Sequence, residues 1–134
     1  MSYDNVSVIP FKTVAINTTA AAATYGIRGP KGKTGRVVDI VATCTTGHVL
    51  GSTTQTQLLV GLSGNTAAYA TFEPPALTAA TGVATLSDAD SANSGIVVGH
   101  LIPADTEVLL TTVANAGAPA AGVLVYDVLI AWEN

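Results

Sequence analysis

The stretch VLVYDVLIAW, residues 123–132, alternates between two kinds of position. Its apolar side chains recur at every second residue, namely at Leu124, Tyr126, Val128, Ile130 and Trp132. Successive side chains of a β-strand point to opposite faces, so these side chains share one face and the charged Asp127 lies on the other. The pattern predicts a strand over residues 122–132 that is half buried against a second layer.

Similar short runs of apolar or β-branched residues recur along the whole chain, separated by Gly, Pro, Asn, Ser and Thr. We predict strands at residues 6–16, 23–28, 35–45, 56–62, 67–72, 82–86, 95–100, 106–114 and 122–132. No helical period is present, and evenly spaced short strands are typical of all-β sandwiches. The sequence therefore predicts a single-domain, jelly-roll-like sandwich of about eight strands over residues 1–134. Residues 1–12 are a candidate N-terminal arm.

Two of the predicted strands carry further information. Residues 37–42, VVDIVA, are apolar on both faces apart from Asp39. A strand with one wet face would not show this pattern, so we expect another layer or another subunit to cover the second face. Pro10 cannot donate a hydrogen bond to a neighbouring strand, which predicts that the first strand is a sheet edge or an arm.

The composition is apolar and unusually poor in charge. Hydrophobic residues make up 49% of the 134 residues and charged residues 10%, where an ordinary soluble domain has about 25% charged residues. A small monomer of this kind would leave apolar surface in water, so we expect a homo-oligomer, with a trimer as the first candidate. The formal net charge of −4 argues against a nucleic-acid partner.

The cellular setting follows from three weaker signals. Cys44 is the only cysteine, which excludes an internal disulfide and a multi-cysteine zinc site. The start MSYDN has neither the basic nor the apolar region of a signal peptide, so we expect synthesis and assembly in a reducing cytoplasm. Residues 108–132 contain one charge, but the turn formers at 115–119 divide them into two strands, so we expect no membrane partner.

Motifs of catalysis are incomplete in this sequence. Residues 32–34, GKT, imitate the end of a phosphate-binding loop, but Ile27 stands where that motif needs glycine, and a strand pattern follows in place of a helix. Residues 61–65, GLSGN, lack the last glycine of a nucleophile elbow. We expect no enzyme and no catalytic residues, although a Ser-His-Asp set assembled from distant positions stays open.

Metal and cofactor motifs are equally incomplete. His48 and His100 lie far apart and neither is part of a metal-ligand spacing. Residues 88–93, DADSAN, resemble the start of a calcium loop but lack its glycine and its closing glutamate. We therefore expect no metal and no cofactor.

Most of the positive charge is concentrated in one short segment. Four of the five basic residues fall within nine positions, at Arg28, Lys31, Lys33 and Arg36. Glycine recurs there at every third position from Gly26 to Gly35, but three triplets are too few for a collagen-like helix. We predict an extended loop whose cations contact an acidic protein surface. Alternatively, the loop neutralises acids such as Asp105 or Glu107 within the oligomer.

The same segment resembles a known family. Residues 29–40, GPKGKTGRVVDI, are similar to the G-P-x-G-K-x-G-R-[LV]-x-D-[IV] stretch of small virion proteins of tailed phages, and residues 59–70 are similar to their V-x-[VL]-G-x-x-x-x-x-x-A-Y-A stretch. Residues 102–106, 117–119 and 127–132 resemble their closing pair of strands around a Gly/Pro loop. The resemblance covers most of the chain from Tyr25 onward, and residues 76–93 match poorly.

This resemblance implies a capsid decoration or cement protein. Members of the family are jelly rolls that bind the outside of the major capsid shell, commonly as trimers. The implied partners are the major capsid protein and further copies of the chain, on the exterior of the virion. A host-receptor or glycan-binding module on the virion is the alternative, although sugars usually stack on exposed aromatic rings and Trp132 is the only tryptophan.

Overall fold

The computed structural model describes residues 7–18, 23–46, 56–77, 82–89, 94–97, 99–114, 116 and 122–133. These residues form the following strands: β1 (Ser7–Lys12), β2 (Ile16–Asn17), β3 (Thr24–Ile27), β4 (Thr34–Thr46), β5 (Gln57–Leu62), β6 (Asn65–Phe72), β7 (Val83–Thr85), β8 (Gly95–Ile96), β9 (Val108–Val113) and β10 (Val123–Glu133). A single turn of 3₁₀ helix, Leu86–Asp88, follows β7. The predicted all-β fold is confirmed.

The strands form two antiparallel sheets. The first sheet has the order β1-β10-β4-β7, with β2 also pairing with β10, and the second has the order β3-β9-β5-β6-β8. β1 and β2 run consecutively along the same neighbour, so they count as one interrupted strand. With the two-residue β8 set aside, eight strands remain, four in each sheet, and their order in the two sheets is that of a jelly roll.

Each predicted strand has a counterpart, with one clear difference in length. Residues 95–100 form only the two-residue strand β8, because the chain turns away after it. Gly99 has a φ of +76°, and the amide of His100 donates to the carbonyl of Val97 over 3.3 Å. Pro10 lies in β1, which is an edge strand as predicted. Residues 1–6 of the candidate arm lie outside the described residues.

The core lies between the two sheets. The predicted inner face of β10 is confirmed, because Leu124, Tyr126, Val128, Ile130 and Trp132 are each at most 1% exposed. Phe72 of the second sheet meets Tyr126 edge to face, with ring centroids 6.2 Å apart. Burial raises the pKa of the Tyr126 hydroxyl above its ordinary value. Cys44 is fully buried and packs as a small hydrophobe.

Two buried threonines extend the pairing of the first strand with β10. Thr13 lies in the interruption between β1 and β2, and Thr18 directly follows β2. The amide of Thr13 donates to the carbonyl of Tyr126 over 2.9 Å, and its side-chain oxygen accepts from the Tyr126 amide over 3.0 Å. Thr18 makes the same two contacts with Gly122, each over 2.9 Å. These side-chain oxygens stand in for backbone carbonyls and satisfy buried amides.

The outer face of the first sheet carries three exposed valines. Val8 of β1, Val38 of β4 and Val83 of β7 are 52%, 44% and 57% exposed. The sequence predicts that both faces of β4 are covered. The second sheet covers its inner face.

Candidate contact site: the basic loop

The four predicted contact residues lie on or beside one tight turn. Residues 28–36, here called the basic loop, join β3 to the first residues of β4. At its tip the amide of Lys33 donates to the carbonyl of Pro30 over 3.2 Å. Gly32 has a φ of +77°, which a type II turn requires at its third residue. Thr34 then begins a strand, so the helix of a phosphate-binding loop is absent here.

The two sides of the basic loop pack against one buried ring. A Cβ atom added at Gly29 or at Gly35 would overlap ring carbons of Trp132, and Trp132 is 1% exposed. Both positions therefore require glycine, because the backbone passes directly over the indole. This close approach fixes the loop to the C-terminal strand.

Asp105 clamps the basic loop from the other side. Its side-chain Oδ1 accepts from the amide of Gly32 over 2.9 Å, and its backbone carbonyl accepts from the guanidinium of Arg28 over 2.8 Å. Asp105 has a φ of +60°, a left-handed conformation that aspartate tolerates better than most residues. The carboxylate of Glu107 lies beside Gly26, where an added Cβ would come within 2.8 Å of its Oε2.

The four cations have two different roles. Arg28 is engaged with Asp105, and Arg36 makes a salt bridge to Glu133 over 2.8 Å. The side chains of Lys31 and Lys33 make no hydrogen bond or ion pair with any other described residue; Lys31 is exposed and Lys33 half buried. The two arginines therefore belong to the scaffold of the loop, and the two lysines are the cations it leaves available.

An open pocket of about 300 Å³ adjoins the basic loop. The described residues that line it are Arg36, Val37, Ile96, Val97, Gly99, His100 and Leu101. The ring of His100 lies edge to face against Tyr69, with centroids 4.8 Å apart. Burial raises the pKa of the Tyr69 hydroxyl.

Sequence reasoning missed this pocket and the clamp at Asp105. The apolar run at residues 95–100 predicts a regular strand and gives no sign of a pocket wall. The signal that could have found the pocket is the pair of glycines that flanks this run, since Gly95 and Gly99 both have positive φ and glycine tolerates that conformation at little cost. The alternative prediction has the loop neutralise acids such as Asp105 within the oligomer, and the structure shows Asp105 in contact with the loop of its own chain.

The incomplete calcium-loop and nucleophile-elbow motifs lie in a helix cap and a hairpin turn. Asp88 accepts a hydrogen bond from the amide of Thr85 over 3.0 Å and so caps the 3₁₀ turn. Residues 61–65 include the turn of the β5–β6 hairpin, with Gly64 at a φ of +96°. His48 lies outside the described residues, and His100 is exposed.

Within the described part of the chain, no three His, Cys, Asp or Glu side chains gather where they could hold a metal ion. The same residues include no helix that is long and apolar enough to cross a membrane.

The site combines a fixed turn, two available lysines and an adjoining pocket with exposed apolar side chains. Such a surface attracts an anionic partner by charge and adds apolar burial at short range. Compared with family models, with curated proteins and with solved structures, the chain has no match.

Proposed function

We propose that this chain is a structural virion protein that binds the outside of an assembled major capsid shell and cements neighbouring subunits against heat and DNA pressure. The observation that carries the proposal is the basic loop. The segment that resembles decoration proteins forms a turn held by Trp132 and Asp105, with Lys31 and Lys33 left available. A turn that is already ordered loses little conformational entropy when it binds.

Binding only the assembled shell explains how such a protein stabilises a capsid. A ligand present at 100 times its dissociation constant stabilises the bound state by about 2.7 kcal/mol per site. An interface of about 1,600 Å² is enough for a stable protein complex. A small sandwich placed across the joint between two shell subunits would act at every equivalent joint.

The proposal includes self-association, with a trimer as the expected state. It is supported by the low charge content of 10% and by the exposed valines on the outer face of the first sheet. Closed symmetry is expected because an open arrangement would keep adding subunits. Light scattering should give a mass above that of one chain; a lone 13.4 kDa species at micromolar concentration would contradict this part.

The shell contact is tested with the two available lysines. We expect Lys31→Ala and Lys33→Ala together to fold normally and to bind shells of the major capsid protein of the same genome at least tenfold more weakly. Raised salt should weaken the unaltered protein in the same way, because salt screens exposed charges. Co-sedimentation with empty shells measures both effects.

Lys12 provides the matched control for this experiment. It is an exposed lysine of β1 outside the basic loop, so Lys12→Ala removes one positive charge without changing the loop. We expect Lys12→Ala to bind shells as the unaltered protein does, and Lys31→Ala alone to bind more weakly. Equal occupancy for all these variants would reject the loop as the contact site.

A further inference from the structure

The pocket beside the basic loop has walls that are held by backbone hydrogen bonds. Gly35 and Ile102 exchange two of them, from the Gly35 amide over 3.0 Å and from the Ile102 amide over 2.7 Å. At the other end of the wall, the amide of Val97 donates to the carbonyl of Tyr69 over 2.9 Å. The segment that lines the pocket is therefore fixed to β4 of one sheet and β6 of the other.

The walls of the pocket expose apolar side chains close together. Ile96, Val97 and Leu101 are 37%, 41% and 47% exposed, while Val37 beside them is only 5% exposed. Single exposed apolar residues are ordinary on protein surfaces, but a group of them around a concavity marks an interaction site.

A cation lies at the rim of this apolar pocket. Arg36 makes one hydrogen bond, from Nη2 to Glu133, and its side chain is 55% exposed. A guanidinium has five N–H donors in a fixed fork. Its other donors make no hydrogen bond to the described residues, so they can bind a second carboxylate.

We infer that the pocket receives an aliphatic side chain from an extended acidic segment of a protein partner, with Arg36 binding a carboxylate next to that side chain. The inference rests on the proposed function only in naming the capsid shell as the source of that segment. Charge complementarity selects the partner, because Arg36, Lys31 and Lys33 all lie on the basic loop. The volume of about 300 Å³ is at the lower end for small-molecule sites, which fits one side chain better than a cofactor.

The test is a titration of the purified full chain with short blocked peptides, followed by NMR of its backbone amides. The probe is Glu-Leu-Glu, and Gln-Leu-Gln and Lys-Leu-Lys are the comparison peptides. We expect Glu-Leu-Glu to shift the amides of residues 36, 96, 97 and 99–101 with a Kd of about 1 mM. Gln-Leu-Gln should bind several times more weakly, and Lys-Leu-Lys should leave these amides unchanged.

A pair of valine variants separates the pocket from general apolar stickiness. Val97→Glu places a charge in the pocket wall. Val14→Glu places the same charge on an exposed residue between β1 and β2, beside Thr13, which hydrogen-bonds to Tyr126 and not to the end of β10 that pairs with Gly35. We expect Val97→Glu to weaken Glu-Leu-Glu binding at least tenfold and Val14→Glu to leave it unchanged. Arg36→Gln should weaken binding about fivefold, because the carboxylate loses its cation.

Three results would overturn the inference: no shift of the pocket amides, equal binding of Lys-Leu-Lys, or equal losses in the two valine variants. The titration contains no capsid, so its outcome is independent of whether the chain decorates shells. Shell binding by the unaltered chain without peptide binding would reject the pocket alone. Peptide binding without shell binding would reject the decoration function alone.

Discussion

At the scale of single residues, the regular glycine spacing of the basic loop has several local causes. Gly29 and Gly35 are required by the ring of Trp132, while Gly32 is required by the positive φ of a turn. The sequence indicates a glycine-permitted loop, and the alternation in β10 predicts that Trp132 shares the buried face. It cannot show that these residues touch, because the contact joins segments far apart in the chain and depends on the pairing of β4 with β10.

We expect Gly35→Ala to destabilise the protein and to disturb Trp132. The added methyl would lie 2.6 Å from an indole carbon, and overpacking of this kind costs about 1–3 kcal/mol of unfolding free energy. Trp132 is the only tryptophan, so its fluorescence reports this contact directly. Chemical unfolding and the emission maximum measure the two effects.

Gly32→Ala is the matched control, because nothing lies within 4 Å of a Cβ at that position. Its cost comes from the left-handed backbone alone, about 1–2 kcal/mol. We therefore expect Gly32→Ala to lower stability with an unchanged tryptophan emission. An unchanged emission in Gly35→Ala would contradict the packing of the loop on the indole.

At the scale of elements, period and turn residues predict the strands well. β4, β5, β6, β9 and β10 each lie within about two residues of the predicted ends, because each has one face buried in the core and that face imposes a period of two. The predicted strand at residues 95–100 is longer than the observed β8, because apolar content alone does not distinguish a buried strand from an exposed pocket wall. The basic loop is found by composition, whereas its clamp at Asp105 requires the fold.

Asp39 joins two elements, and its replacement tests that connection. Its Oδ1 accepts from the amide of Ile40 over 2.8 Å and from the amide of Leu86 over 3.3 Å, which ties the 3₁₀ turn to β4. We expect Asp39→Ala to lower the unfolding free energy by about 1–3 kcal/mol, because two amides lose their acceptor. Hydrogen exchange at Leu86 should accelerate.

Asp39→Asn retains a side-chain oxygen at the same position and is the control for the charge. We expect it to preserve most of the stability and the protection of the Leu86 amide. If Asp39→Asn were as destabilised as Asp39→Ala, the negative charge would matter more than the two hydrogen bonds.

At the scale of the whole molecule, the jelly-roll order gathers the candidate contacts at one end of the first sheet. The start of β4 pairs with the end of β10 there, and Ile102 forms an isolated bridge with Gly35 at the same place. The basic loop, Asp105 and the pocket therefore adjoin one another. The sequence predicts the sandwich and the cations, but only the pairing of the strands places the pocket beside the loop.

If this end of the molecule cements a shell, decorated capsids should outlast bare ones. We expect bare shells to assemble and then to fail at a lower temperature than decorated shells heated in parallel. When the free protein is present at 100 times its dissociation constant, binding stabilises each site on the shell by about 2.7 kcal/mol. Because the shell subunits separate cooperatively, a smaller stabilisation per site would still raise the failure temperature.

A host-receptor module predicts the opposite pair of results. The two shells would melt equally, and particles that lack the protein would adsorb less to cells. Scoring adsorption on the same particles therefore separates the functions, and equal melting with lost adsorption would replace the cement role with receptor binding.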